Sequence, residues 1–327
     1  MIQLFFLFFL LTLSGCKRSD KPETSLFSGE AMTMNYRIII AGGALSPSER
    51  TKINTIIAQT FDEINRIYNK WNPESELSKL NQAQSLQKIA LSHELTHFLF
   101  KTDKLVKLSN GRFDPTIEAV QKIWKNNLNQ GKIPSEEEIK KASKAVGWNK
   151  IHFEDGIFWK EHEALELDLG GIAKGYAIDL ILERLNNQGN PSVYVEWGGE
   201  IRTSGNHPSG RPWRIFISNL GNTDPDMALA TLDMNNNAVA TSGDYLQNWT
   251  LNEKTYFHII NPKTCHLLTS DNQSICSVTI MTNDCMTADA LATTAMLFPS
   301  VETSEQWLEK VKTDIPNLRY WISTRSL

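Results

Sequence analysis

Near residue 148 the period of the hydrophobic pattern changes, and that change constrains the fold more than any other feature of the chain. Before it, apolar residues recur at helical spacing. Ile53, Ile56, Ile57, Phe61, Ile64, Ile67, Tyr68 and Trp71 form one such series, opened by Ser46-Pro47-Ser48-Glu49, a capping box with proline at the first helical position. A second helix is predicted from Ser92 to Ser109, with Leu95, Phe98, Leu99, Leu105 and Val106 on one face. Ser135-Glu136-Glu137-Glu138 opens a third, which Gly147 is expected to end. After residue 148 the apolar runs are short. "KIHFEDGIFWK" predicts a hairpin around Asp155-Gly156, and "SVYVE", "EIRT", "WRIFI", "ALATLDM", "YFHII" and "SVTIM" predict further strands. Helices are expected again at 287–298 and near 303–312. Helices first and strands after point to an α+β fold with a largely antiparallel sheet.

With 327 residues, 41% hydrophobic and 21% charged, the chain can bury a sizeable core and does not read as disordered. A net charge of -4 signals no basic face, so nucleic acid is not an expected partner. The first residues differ in kind. The apolar run Ile2 to Leu13 is too short to span a bilayer and stops at Lys17-Arg18, as the core of a signal peptide does. Leu13-Ser14-Gly15-Cys16 resembles a bacterial lipobox, although no basic residue precedes the run. The expected division is a signal peptide over 1–15, a lipidated Cys16, a polar tether over 16–30 and one folded domain over 31–327. Acyl chains on Cys16 would hold an exported domain at a bacterial membrane. Cys265, Cys276 and Cys285 remain, an odd number whose spacing matches no zinc site, and they are read as structural.

Three stretches carry chemistry. In Asp168-Leu169-Gly170-Gly171-Ile172-Ala173-Lys174-Gly175 a strand passes through glycines into a helix. Glycine lets backbone approach a ligand, a helix N-terminus offers free N–H groups, and Lys174 adds a point charge, a set suited to a diphosphate. A tight turn with a surface lysine fits the same residues. In "NDCMTADALATTAM", Asp289 and Thr293 lie four apart and share one helix face, so carboxylate and hydroxyl could seat Mg²⁺. Helix capping and back-bonding would account for them equally well. His258, at the end of a strand that runs into Asn261-Pro262, suits a general base, or simply a core histidine. Asp114 before Pro115 reads as a helix start, and Trp71 as core or as a stacking platform.

The order of the motifs says more than any one of them. M-x-x-x-Y, W-x-x-x-S-E-L-S-K-L-N, F-D-P-T, L-D-L-G-G-I-A-K-G-Y-A, G-G-E-I-R-x-S-G, A-V-A-T-S-G-D-Y, H-I-I-N-P-K-T and C-M-x-A-D-A-L-A-T together resemble the ApbE-type FAD:protein FMN transferases, from about Met32 to Phe298. The resemblance implies an α+β enzyme that takes FAD as substrate with Mg²⁺, joins FMN through its phosphate to a threonine of a membrane-associated flavoprotein, and releases AMP. It implies Asp289, Thr293 and the Gly171 carbonyl as metal ligands. It implies Met32, Trp71, Arg112, Phe113, Asp114, Asp168, Lys174 and Ile260 around FAD, and His258 as the base. Met32-Thr33-Met34 stands where the family has Met-Gly-Thr, and Cys265 where it has glycine. Two other readings stay open here: an Mg²⁺-dependent FAD pyrophosphatase, with water as nucleophile, and a flavin-binding lipoprotein without catalysis. The aromatic Trp71 favours transfer over hydrolysis.

Overall fold

A computed structural model describes residues 23–324 apart from 220, 221, 223, 246 and 271–274; Cys16 and the expected signal peptide lie outside the described residues. An N-terminal hairpin joins β1 (Thr24–Ala31) to β2 (Met34–Ala41). Helices α1 (Pro47–Ile67) and α2 (Glu76–Gln82), the short strand β3 (Ile89–Ala90), and helices α3 (His93–Leu108), α4 (Glu118–Asn129) and α5 (Glu136–Ser143) follow. The hairpin β4 (Ile151–Glu154) and β5 (Ile157–Lys160) leads to α6 (Gly170–Asn187). Next come β6 (Val193–Trp197), β7 (Glu200–Ser204), β8 (Trp213–Ile217), β9 (Ala230–Met234) and β10 (Ala238–Gly243). Then β11 (Asn248–Leu251), β12 (Lys254–Asn261), β13 (His266–Thr269) and β14 (Ile275–Thr282) precede α7 (Cys285–Met296), α8 (Val301–Val311) and β15 (Arg319–Thr324).

The principal sheet has seven strands in the order β1-β2-β6-β7-β10-β14-β15, antiparallel at every pairing. A three-stranded sheet β11-β12-β13 carries His258 on its central strand. Side-chain alternation makes the layers. Ile38 and Ile40 of β2, with Val193, Val195 and Trp197 of β6, enter the main core beneath α1 and α6. Ile39 and Tyr194 point the other way, into a cluster with Trp213, Ile215 and Met234 of the β8–β9 ribbon. Strand β14 is buried at every position, because α7 covers one face and the ribbon cluster the other. Its sequence therefore lacks the alternation of a half-exposed strand.

The predicted α+β architecture is what the chain adopts, with corrections at element ends. The stretch expected as tether to residue 30 is in part a strand, Thr24–Ala31. Only Ser25 and Phe27 of β1 are buried, and the strand is held by main-chain pairing with β2, so its polar side chains disguise it. Its turn runs through Met32 and Thr33, at φ +47° and +65°, the left-handed region in which the family's glycine is unstrained. Helix α5 stops at Ser143 rather than Gly147, whose φ of +142° instead leads into a short 3₁₀ turn. Helix α7 starts two residues before the expected 287, because Asp284 caps it by accepting from the Thr287 N–H at 2.9 Å. The final strand β15 was not anticipated at all: it pairs along β14 with mostly half-buried side chains.

Helices α6 and α7 cross at Gly175. A Cβ there would lie 2.4 Å from the Cys285 carbonyl oxygen and 2.7 Å from the Met286 nitrogen, so only glycine permits the crossing. Backbone cannot yield as a flexible side chain would. Gly175→Ala is therefore expected to cost about 3 kcal/mol or more, at the upper end for overpacking. The check is the urea unfolding midpoint, which should fall; an unchanged midpoint would show that the helices can part without cost.

Candidate active site

Three elements converge beside that crossing. The N-terminal turn of α6 brings Gly170, Gly171 and Lys174; α7 brings Asp289 and Thr293 from its inward face; β12 brings His258 and Ile260. With Arg112, Phe113, Asp114 and Asp168 they line a cavity of about 280 Å³. A second cavity of about 510 Å³ adjoins it, lined by Trp71, Lys70, Lys125, Trp124 and Trp249. Gln121, Asp168, Gly170 and His258 belong to both.

The candidate metal donors are neighbours. Asp289 is 4% exposed. Thr293 Oγ1 shares a hydrogen bond with Ser242 Oγ at 3.0 Å, and a Cβ placed on Gly171 would come within 3.8 Å of that hydroxyl. The Gly175 N–H donates to Asp289 Oδ2 over a long 3.4 Å, leaving the carboxylate weakly held. Among the described residues no three His, Cys, Asp or Glu side chains cluster as a metal site. One carboxylate, one hydroxyl and one carbonyl would leave half the positions of an octahedral ion to phosphate oxygens and water, which is the habit of Mg²⁺. The donor set therefore fits the ion.

Burial pushes the Asp289 carboxyl up to about 8, with Lys174 opposing and Glu200 reinforcing the rise. Its folded value thus lies above the unfolded one, near 3.8. The protonated form favours the fold, a contribution fully present below pH 4 or so and lost as pH rises through about 8. Without divalent metal, Asp289→Asn should gain stability over the parent protein as pH is raised across that window. Thermal unfolding in chelator reads the difference, and a pH-independent gap would contradict this electrostatic picture. Lys174 is drawn down by burial but raised more by the charges of Asp289 and Glu200, so it stays an ammonium, ion-paired to buried Glu200. Among the described residues Glu200 Oε2 has no hydrogen-bond partner.

His258 is half-buried, and its Nδ1 lies 3.2 Å from the Gln247 carbonyl oxygen. A carbonyl only accepts, so Nδ1 carries the proton and Nε2 keeps a lone pair. Burial lowers the imidazole from its ordinary value, the Gln247 contact opposes this and Lys174 adds to it, so the neutral base prevails at pH 7.

Other predicted residues divide into those free to meet a ligand and those already engaged. Arg112 lies 4.1 Å over the Phe298 ring with no acidic partner among the described residues. Asp114 accepts from Thr116 N, Thr116 Oγ1 and Trp148 N, so its carboxylate braces the Asp-Pro-Thr turn rather than capping α4, whose N-cap is Ile117. Asp168 takes the Gly170 N–H at 2.8 Å and the Lys70 ammonium at 2.9 Å. Trp71 is 71% exposed, with Lys70 and Lys125 ammonium groups 5.0 and 4.9 Å from its ring, which excludes the core reading. Met32 sits in the β1–β2 turn and lines neither cavity, since that turn packs it against the main core. Cys265, Cys276 and Cys285 are all buried, as structural cysteines should be.

Sequence reading missed Ser242, Lys70, Glu118 and Glu200. Ser242 lay within the quoted A-V-A-T-S-G-D-Y motif, but nothing local announces that its hydroxyl faces Thr293 across 51 residues. Glu200 lay within G-G-E-I-R, where a glutamate at a strand start reads as surface. Lys70 and Glu118 pair at 2.6 Å over 48 residues, a contact no spacing rule can see.

Comparison with known proteins agrees with the architecture. The model of the ApbE family matches residues 32–318. A Chlamydia pneumoniae protein named FAD:protein FMN transferase is 40% identical over 95% of each chain. A Vibrio cholerae protein of the same name is 31% identical, over 88% of this chain and 85% of its own. Among solved structures, flavin transferase ApbE from Vibrio cholerae superposes with a TM-score of 0.78 at 27% identity, covering 94% of this chain and 95% of that one. The apo flavinyl transferase ApbE of Pseudomonas stutzeri gives 0.81 at 22% identity, over 94% and 92%, a likeness of fold. With a family match over nearly the whole folded region and a relative 40% identical across 95% of the chain, this protein belongs to the ApbE family.

Proposed function

We propose that the chain is an Mg²⁺-dependent FAD:protein FMN transferase that joins FMN to a threonine hydroxyl of a target flavoprotein and releases AMP. The observation that carries the reading is one cavity lined by Asp289, Thr293, Gly171, Lys174 and Arg112, with His258 at its border with a tryptophan-lined hollow. When bound, Mg²⁺ would neutralise phosphate charge and hold the FMN-side phosphorus for attack. Lys174 and Arg112 offer the remaining positive charge, and the tryptophans offer flat apolar surface to an aromatic ring. The acceptor threonine oxygen forms a new bond to that phosphorus as the bridging bond to the AMP phosphate breaks. His258 Nε2 takes the threonine proton, and AMP departs with the bridging oxygen. Export, acylation of Cys16 and a tether ending near Glu23 would hold the domain beside membrane flavoproteins; these residues belong to the same proposal.

The test is incubation of the purified protein with FAD, Mg²⁺ and a threonine-bearing acceptor, read by mass spectrometry. An acceptor heavier by one FMN phosphoester, together with stoichiometric AMP, is expected. Free FMN without adduct would mean hydrolysis instead, and unchanged FAD would mean binding alone.

A further inference from the structure

The candidate metal donors stand on two different helices, so their spacing depends on how α6 and α7 are fastened together. Gly171 and Lys174 belong to α6, Asp289 and Thr293 to α7. Gly175 sets how close the helices come, but closeness alone fixes neither slide nor rotation. Asp179, two turns along α6 from Gly171, supplies the missing constraint. Its Oδ1 accepts the Cys285 N–H at 2.8 Å and its Oδ2 the Met286 N–H at 3.0 Å, the first two donors of α7. Arg202 of β7 holds the same carboxylate at 2.9 Å and reaches on to Glu183. Asp179 is 4% exposed, and among the described residues these partners satisfy its carboxylate. A side chain from one helix therefore caps another, with two bonds that define both position and angle, beside the positive end of the α7 dipole. Asp289 follows Met286 by three residues, within the next turn.

We propose that Asp179 is a positioning residue of the metal site: by clamping the first turn of α7 to α6, it sets the reach between the Asp289–Thr293 donors and Gly171. The proposal rests on the Mg²⁺-dependent transfer advanced above. Asp179 touches neither cavity, so it acts through the two helices alone. In Asp179→Asn one oxygen becomes an NH₂ that cannot accept from a backbone N–H, and the clamp loses a bond and its charge.

The experiment titrates Mg²⁺ against transfer rate at saturating FAD, in the parent protein, Asp179→Asn, Arg202→Met and Leu308→Ala. Leu308 is buried between α7 and α8, lines neither cavity and serves as a control for lost stability. Metal-free FAD binding, followed by flavin fluorescence, and circular dichroism accompany each variant. Asp179→Asn is expected to raise the half-saturating Mg²⁺ concentration about ten- to a hundredfold, as outer-shell changes do, with FAD binding and fold retained. Arg202→Met should shift it in the same direction by less, and decides the matter if Asp179→Asn does not fold. Leu308→Ala should leave it in place. An unshifted Mg²⁺ dependence in the Asp179 and Arg202 variants, or an equal shift in Leu308→Ala, would overturn the positioning role alone. A parent enzyme indifferent to Mg²⁺ would overturn this proposal together with the metal-dependent reading beneath it.

Discussion

Asp289→Ala is expected to abolish measurable FMN transfer, by about 10²–10³-fold or more, while the protein remains folded and more stable at alkaline pH without metal. The size of the effect follows from the site's composition. Of the three proposed donors Asp289 is the one carboxylate; Thr293 and the Gly171 carbonyl are neutral. Removing it leaves no anionic protein ligand for a dication, and Lys174 loses one of its two acidic neighbours. Excess Mg²⁺ should not restore the rate, whereas Thr293→Ala should be partly restored. The same reasoning gives a pH dependence. Below about pH 8 the ion must displace a proton from Asp289, so apparent Mg²⁺ affinity should rise with pH up to that value and then level off. Steady-state rates at graded Mg²⁺ for both variants provide the check. An Asp289→Ala enzyme rescued by more metal would move the ion's seat elsewhere.

His258→Ala should lower transfer by about 10²–10⁴-fold with FAD still bound, because a positioned general base contributes that much and little to ground-state affinity. The histidine faces both cavities through one edge and is anchored by the Gln247 carbonyl through the other. Because burial and Lys174 lower its proton affinity, the acid limb of the parent enzyme's pH–rate profile should fall below the ordinary imidazole value of 6.5. In the alanine variant that limb should vanish from the residual rate. Flavin fluorescence titration and a pH–rate profile separate this from a structural role: loss of fold or of FAD binding would make His258 a core residue instead.

What could be read from the sequence was local in origin. The i, i+4 spacing of Asp289 and Thr293 announced a shared helix face, and both side chains line the cavity that Gly170 and Gly171 also border. The long helical series ended at Trp71, and the structure leaves that ring exposed at a cavity. What stayed hidden depends on contacts distant in sequence. Asp179 sits in "GYAIDLIL", where one acid in an apolar helix looks like an ordinary polar break, yet its partners are 106 and 107 residues away. Strand β1 was concealed because its pairing uses main chain rather than an apolar stripe. Asp114 was read for its place before proline, but its carboxylate is occupied by Thr116 and Trp148.

The seat of the divalent ion decides which residues act on the diphosphate. Crystals grown with FAD and Mn²⁺ in place of Mg²⁺, with anomalous diffraction collected at the manganese edge, locate it directly. The expected result is one peak bonded to an Asp289 oxygen, the Thr293 hydroxyl and the Gly171 carbonyl, with diphosphate oxygens completing the sphere and His258 facing the FMN-side phosphorus. A peak bonded to none of these three residues, or a diphosphate bound with no peak beside it, would contradict the account.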